Sequence, residues 1–148
     1  MMKRTILTAG IVLALVAVGC GGDDEDSGGA TDGAEGTTVA VDLSDFAIAP
    51  DTTSITAGSV TFDAHNSGPT EHELVVVKTD LAADALPTSD DGKVDEEGEG
   101  VEFIGEIEEF ASGLDESGTF DLSAGNYVLF CNIPGHYASG MTIAVTVA

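Results

Sequence analysis

From Thr38 onward the chain is a succession of short strand-like segments, each closed by a turn-forming residue. Thr38-Val-Ala-Val-Asp-Leu43 and Val60-Thr-Phe-Asp-Ala64 alternate apolar and polar residues, the period of a strand with one face in a core. Glu71-His-Glu-Leu-Val-Val-Val77 starts polar and becomes continuously apolar. Thr119–Leu122, Tyr127–Cys131 and Met141–Val147 follow. Gly58, Asn66-Ser-Gly-Pro69, Gly125-Asn126 and Pro134-Gly135 punctuate them. Many short strands with glycine-rich turns predict an all-β, antiparallel sandwich. Leu122-Ser-Ala-Gly-Asn-Tyr127 has the pattern of a tyrosine corner, in which a phenol bonds backbone a few residues upstream and ties down a Greek-key crossing.

Between Thr79 and Ser117 the pattern weakens, so the sandwich carries a short helical or irregular insertion. Asp80 is placed to cap a helical turn over Leu81–Leu86 that Pro87 stops. Ser89–Gly100 is polar and acidic. Asp95, Glu97, Glu99, Gly100 and Glu106 fall at spacings of a calcium loop, but Glu stands where shorter acids are preferred and no amphipathic helix flanks the run. A solvated acidic face accounts for it better. Val101–Phe110 alternates weakly, as a further strand.

The chemistry-bearing residues are few. Met1, Met2 and Cys20 lie near the N-terminus, which leaves Cys131, Met141, His65, His72 and His136 as the sulfur and imidazole donors. Cys131, His136 and Met141 share one stretch, with four residues between each successive pair. A second imidazole from a distant strand completes two His and one Cys around a weak axial Met, an arrangement typical of blue copper electron carriers. His72 begins an apolar strand after the Gly-Pro turn. His65 points opposite to Val60, Phe62 and Ala64, and so outward. The predicted metal site is therefore His72, Cys131, His136 and Met141. Zinc on one Cys and two His leaves the Met without purpose, and so does a catalytic Cys/His pair.

The N-terminus reads as a secretory signal over residues 1–19: Lys3-Arg4, an apolar run, then Gly19. Ala17-Val-Gly-Cys20 resembles a bacterial lipobox, with Ala17 in place of the usual Leu. This predicts a lipid on Cys20 and an extracytoplasmic, membrane-anchored protein. Residues 20–37 then form a flexible acidic tether. Residues 38–148 form one domain of about 110 residues, enough for a core of its own. Cys131 is its one thiol, so it has no internal disulfide. The chain carries 27 acidic residues against four Lys and Arg, a net charge of −23. Loss of Lys3 and Arg4 would leave Lys78 and Lys93 as its only Lys or Arg cations. Nucleic acid binding is excluded, since phosphate contacts need Lys and Arg. The charge serves solubility or attracts a basic redox partner.

Two motifs, Asn66-x-Gly68-x-x-x-His72 and Tyr127-x-x-x-Cys131-x-x-Pro134-Gly135-His136-x-x-x-x-Met141, resemble those of the small blue copper proteins of the plastocyanin/azurin (cupredoxin) family. The resemblance covers Thr38–Ala148 and is diffuse over the insertion. It implies a Greek-key β-sandwich, one type 1 copper ion held by His72, Cys131, His136 and Met141, and one-electron transfer between extracytoplasmic redox proteins, by a monomer that is not an enzyme. Copper oxidases and nitrite reductases of related fold need more copper centres and more His. Copper delivery or buffering is the alternative. Many relatives have Asn after the first His, and this chain has Glu73.

Overall fold

The computed structural model describes residues 36–148. The expected signal, the lipobox-like Ala17–Cys20 and most of the expected tether lie outside the described residues. Among the described residues, nine strands form two sheets. The first runs β2 (Ala47–Pro50), β1 (Thr37–Ser44), β4 (Gly58–Asn66) and β7 (Asp115–Leu122). The second runs β3 (Ser54–Ile55), β9 (Thr142–Val147), β8 (Gly125–Phe130), β5 (His72–Lys78) and β6 (Glu102–Phe110). The alternation in β1 and β4 sets their inward faces: Val39, Val41 and Leu43 beside Val60, Phe62 and Ala64, all buried. They pack on Leu74, Val76, Tyr127, Leu129 and Val145 of the second sheet. Each such large apolar side chain contributes about 1.5–3 kcal/mol by leaving water.

The sandwich is not purely antiparallel. β1 pairs parallel with β4, from Thr37↔Val60 to Leu43↔Asn66, and β3 pairs parallel with β9. The chain turns back from β1 into β2, crosses to the other sheet as β3 and returns as β4 on the free side of β1. That crossing requires the parallel pair. The tyrosine corner is present: the Tyr127 hydroxyl donates to the Ser123 carbonyl at 2.8 Å.

The insertion differs from the sequence expectation in two ways. Leu81–Leu86 forms no helix, only a turn closed by the Ala85 N–H on the Ala82 carbonyl. The Leu86 N–H, which a helix would bond to the Ala82 carbonyl, is taken by the Tyr137 hydroxyl, which in turn donates to the Ala83 carbonyl, both at 2.9 Å. Nor is the segment wholly solvated. Leu86 and Val94 are buried with Val75, Val77, Val128, Phe130 and Tyr137 in a second cluster. The insertion thus covers the outer face of β5 and β8. This is why β5 reads as an unbroken apolar run: both of its faces are buried.

Candidate metal centre

Two connections at one end of the sandwich bring the donors together. The first is Asn66–His72. Asn66 is fully buried, and its amide organises the turn. It donates to the Thr70 carbonyl at 2.8 Å and the Phe110 carbonyl at 3.1 Å, and accepts from the Gly68 N–H at 3.0 Å. Gly68 is required by close approach: a Cβ there would stand 2.8 Å from His72 Nε2 and 2.9 Å from Asp45 Oδ1. His72 then enters β5 fully buried.

The second connection is the Cys131–Met141 loop. Pro134-Gly135 makes its first bend, with Gly135 at φ +86°, a left-handed conformation that favours glycine. The His136 N–H donates to the Ile133 carbonyl, and a 3₁₀ turn over Tyr137–Ser139 follows. The Met141 N–H returns to the His136 carbonyl at 3.1 Å, and the Cys131 N–H bonds the Met141 carbonyl at 3.1 Å. The loop is therefore laced through its own backbone. Cys131 and Met141 are fully buried in the main core, while His136 is partly exposed.

Among the described residues, His72, Cys131 and His136 are the one group of three or more His, Cys, Asp or Glu whose donor atoms all lie within 4.8 Å of one another. His72 Nδ1 is 3.3 Å from His136 Nδ1, which is 3.4 Å from Cys131 Sγ. His65 stays out of the group, exposed on β4 and 2.7 Å from Asp115. The calcium-loop spacings bring no such group together.

The electrostatics suit a cation. Burial pushes the Cys131 thiol up to about 11, although the backbone N–H groups of Glu73 and Ile133 bond its sulfur and oppose the rise. Ionising the thiol near neutrality requires a positive partner, which a bound metal supplies. The Glu73 N–H is free for this contact because the β5–β6 register slips between His72 and Leu74. Burial also raises the Glu73 carboxyl to about 7, against the backbone bond from Asn132. His72 is lowered, by burial first and with Asp45 opposing, which favours the neutral imidazole that a metal ligand needs.

Sequence reasoning missed Asp45 and Phe46. They form the two-residue turn between β1 and β2, since Ser44 pairs with Ala47. Asp45 Oδ1 accepts from His72 Nε2 at 2.9 Å and from the Thr70 hydroxyl at 2.8 Å. The Phe46 ring meets the His136 ring edge-on, centroids 5.1 Å apart. A lone Asp-Phe pair on a hairpin carries no sequence signal of a metal centre.

A buried thiol and two imidazoles on rigid supports, with a buried thioether tied by backbone to both Cys131 and His136, fit one copper ion better than a hard metal. The fold and this donor set define a blue copper protein of the cupredoxin class, whose cofactor is one type 1 copper. The profile of the sulfocyanin (SoxE) domain matches residues 52–148, and the chain belongs to that family. No curated protein matches it significantly. Among solved structures, the dithionite-reduced auracyanin of the photosynthetic bacterium Roseiflexus castenholzii is similar at 24% identity, over 76% of this chain and 97% of that one, with a TM-score of 0.55. Auracyanin B is similar at 24% identity, over 76% and 88%, with a TM-score of 0.55. Auracyanin A, a blue copper protein of the green thermophilic bacterium Chloroflexus aurantiacus, is similar at 22% identity, over 75% and 99%, with a TM-score of 0.50. At these identities the likeness concerns the fold.

Proposed function

We propose that this protein is a mononuclear type 1 copper electron carrier, in which His72, Cys131 and His136 would be the strong ligands and Met141 the weak one. The convergence of the two Nδ1 atoms and the Cys131 sulfur carries this reading. Bound copper supplies the one-electron change between Cu(I) and Cu(II). The chain's task is to hold its donors in one arrangement that suits both states. The laced Cys131–Met141 loop and the Asn66 network do so. The N–H groups of Glu73 and Ile133 withdraw charge from the sulfur and tune the potential. A carrier of this kind is not an enzyme.

Electrons enter and leave at His136, the partly exposed ligand. Phe46, 44% exposed, lies against its ring, and Leu114, 51% exposed, stands on the loop that braces Asn66 and Gly68. A redox protein with an apolar contact and a basic surround fits this end of an acidic monomer. The lipobox-like Ala17–Cys20 supports a lipid anchor on the outer face of the membrane. Incorporation of labelled fatty acid, lost in Cys20→Ala, tests that anchor; a full-length protein that takes up no label would refute it.

A visible spectrum decides the central reading. The copper-loaded, oxidised protein is expected to be intensely blue, and Cys131→Ser colourless. Strong colour in the variant would overturn the assignment. Copper delivery or buffering is the alternative. Rapid redox cycling with a small basic cytochrome, without loss of copper to an apo-acceptor, distinguishes the carrier. The burial of His72, Cys131 and Met141 favours retention over delivery.

A further inference from the structure

We infer that Asp45 is a positioning residue of the metal centre, fixing the tautomer and orientation of His72 and biasing the site toward the more highly charged metal state; this rests on the copper reading above. The imidazole of His72 has two nitrogens with different neighbours. Nδ1 faces His136 Nδ1 at 3.3 Å, inside the donor group. Nε2 faces away, 2.9 Å from Asp45 Oδ1. A carboxylate only accepts, so Nε2 carries the hydrogen and Nδ1 presents its lone pair to the metal. Asp45 is itself held. The Thr70 hydroxyl donates to the same oxygen at 2.8 Å, and Gly68 packs against the contact.

The chemical identity of the acceptor matters. A neutral carbonyl in this place would fix the tautomer equally well. A carboxylate also adds a negative charge one ring away from the metal and makes the imidazole a stronger donor. Both effects favour Cu(II) over Cu(I) and lower the reduction potential. Asp45 has this place because β1 and β2 are joined by two residues only, which holds its side chain at the edge of the donor group.

Asp45→Asn separates the two roles, since its amide oxygen still accepts from Nε2 but carries no charge. It is expected to stay blue, keep its Cu(I) affinity and shift to a higher potential as Cu(II) binding weakens. A tenfold change in the Cu(II)-to-Cu(I) affinity ratio reads as about 59 mV for one electron. Asp45→Ala loses the hydrogen bond too, and copper affinity is expected to fall about 10–100-fold by chelator competition. Nitrogen-15 NMR of the metal-free proteins reads the tautomer directly. The Nε2–H form of His72 is expected in wild type and Asp45→Asn, and a mixture in Asp45→Ala. Wild-type potential in both variants, or an unchanged tautomer in Asp45→Ala, would overturn the inference. A colourless copper-loaded wild type would sink the copper reading instead, and the metal-free tautomer would still decide the role of Asp45.

Discussion

The two faces of the second sheet are built differently, and the Cys131–Met141 loop is caught between them. The inner face is a conventional sandwich core. Leu74, Val76, Tyr127 and Leu129 meet the alternating residues of β1 and β4, and Cys131 and Met141 belong to the same cluster. The outer face has no sheet against it. It is covered by the irregular segment between β5 and β6, which contributes only Leu86 and Val94 as buried apolar side chains. What the cover lacks in apolar area it makes up in hydrogen bonds to that loop. Tyr137 takes the Ala83 carbonyl and the Leu86 N–H. The Asn132 amide accepts from the Val94 N–H at 2.6 Å and donates to the Val94 carbonyl at 3.1 Å and to Glu96 at 2.8 Å. The Cys131–Met141 loop is thus fixed from inside by packing and from outside by polar contacts, as the proposed carrier requires.

The largest effect belongs to the inner side. His72→Ala is expected to abolish the blue band and lower copper affinity by orders of magnitude, because it removes one of the three strong donors proposed above. His65→Ala, seven positions earlier but outward on β4, is expected to leave spectrum and affinity unchanged. An unaltered His72→Ala spectrum would mean that the metal is not held between Asn66–His72 and the Cys131–Met141 loop.

The cover comes next. Asn132→Ala leaves both backbone groups of Val94 without their partner. At about 1–3 kcal/mol for a buried polar group left unpaired, a loss of about 2–4 kcal/mol in urea unfolding of the metal-free protein is expected. Tyr137→Phe is expected to cost less, about 1–2 kcal/mol. It orphans the Leu86 N–H, but the Ala83 carbonyl keeps the Thr142 hydroxyl at 3.1 Å. If both variants unfold like wild type, the cover is an ornament of the fold and only the inner core supports the loop.

The same contrast explains what the sequence disclosed. The inner face was legible because period two in β1 and β4 reports one-sided burial, and because Cys131, His136 and Met141 concentrate rare donors in one stretch. The cover was not legible. Its turns are set by side chains far along the chain, Asn132 and Tyr137, and no local pattern in Leu81–Leu86 reveals that its backbone groups are already engaged. β2 and β3 were missed because four and two residues are too short for a period to show. Asp45 escaped for a similar reason: its meaning comes from His72, which is near only in space. The unbroken apolar run of β5 did hold the clue to an outer cover, since a strand with one wet face would alternate.

The smallest expected effect concerns charge on the edge strand β6. Burial first, then the neighbouring Glu96 and Glu108, raises the Glu106 carboxyl above its ordinary value, with Lys93 opposing. A carboxyl raised in the folded state stays protonated over a range where the unfolded chain has already ionised. Its contribution to stability is therefore complete below about pH 4.5, the ordinary value, and is lost as pH rises through the raised one. Because Glu106 is exposed and screened, the amount is expected to be under about 1 kcal/mol. Thermal unfolding of the metal-free protein between pH 4 and 7 is expected to show a slightly shallower decline in Glu106→Gln than in wild type. Added salt is expected to narrow the difference, since the repulsion joins Glu106 to Glu96 of the cover across water. If Glu106→Gln steepens the decline instead, Lys93 outweighs the carboxylates, and the cover is held to β6 by attraction rather than strained against it.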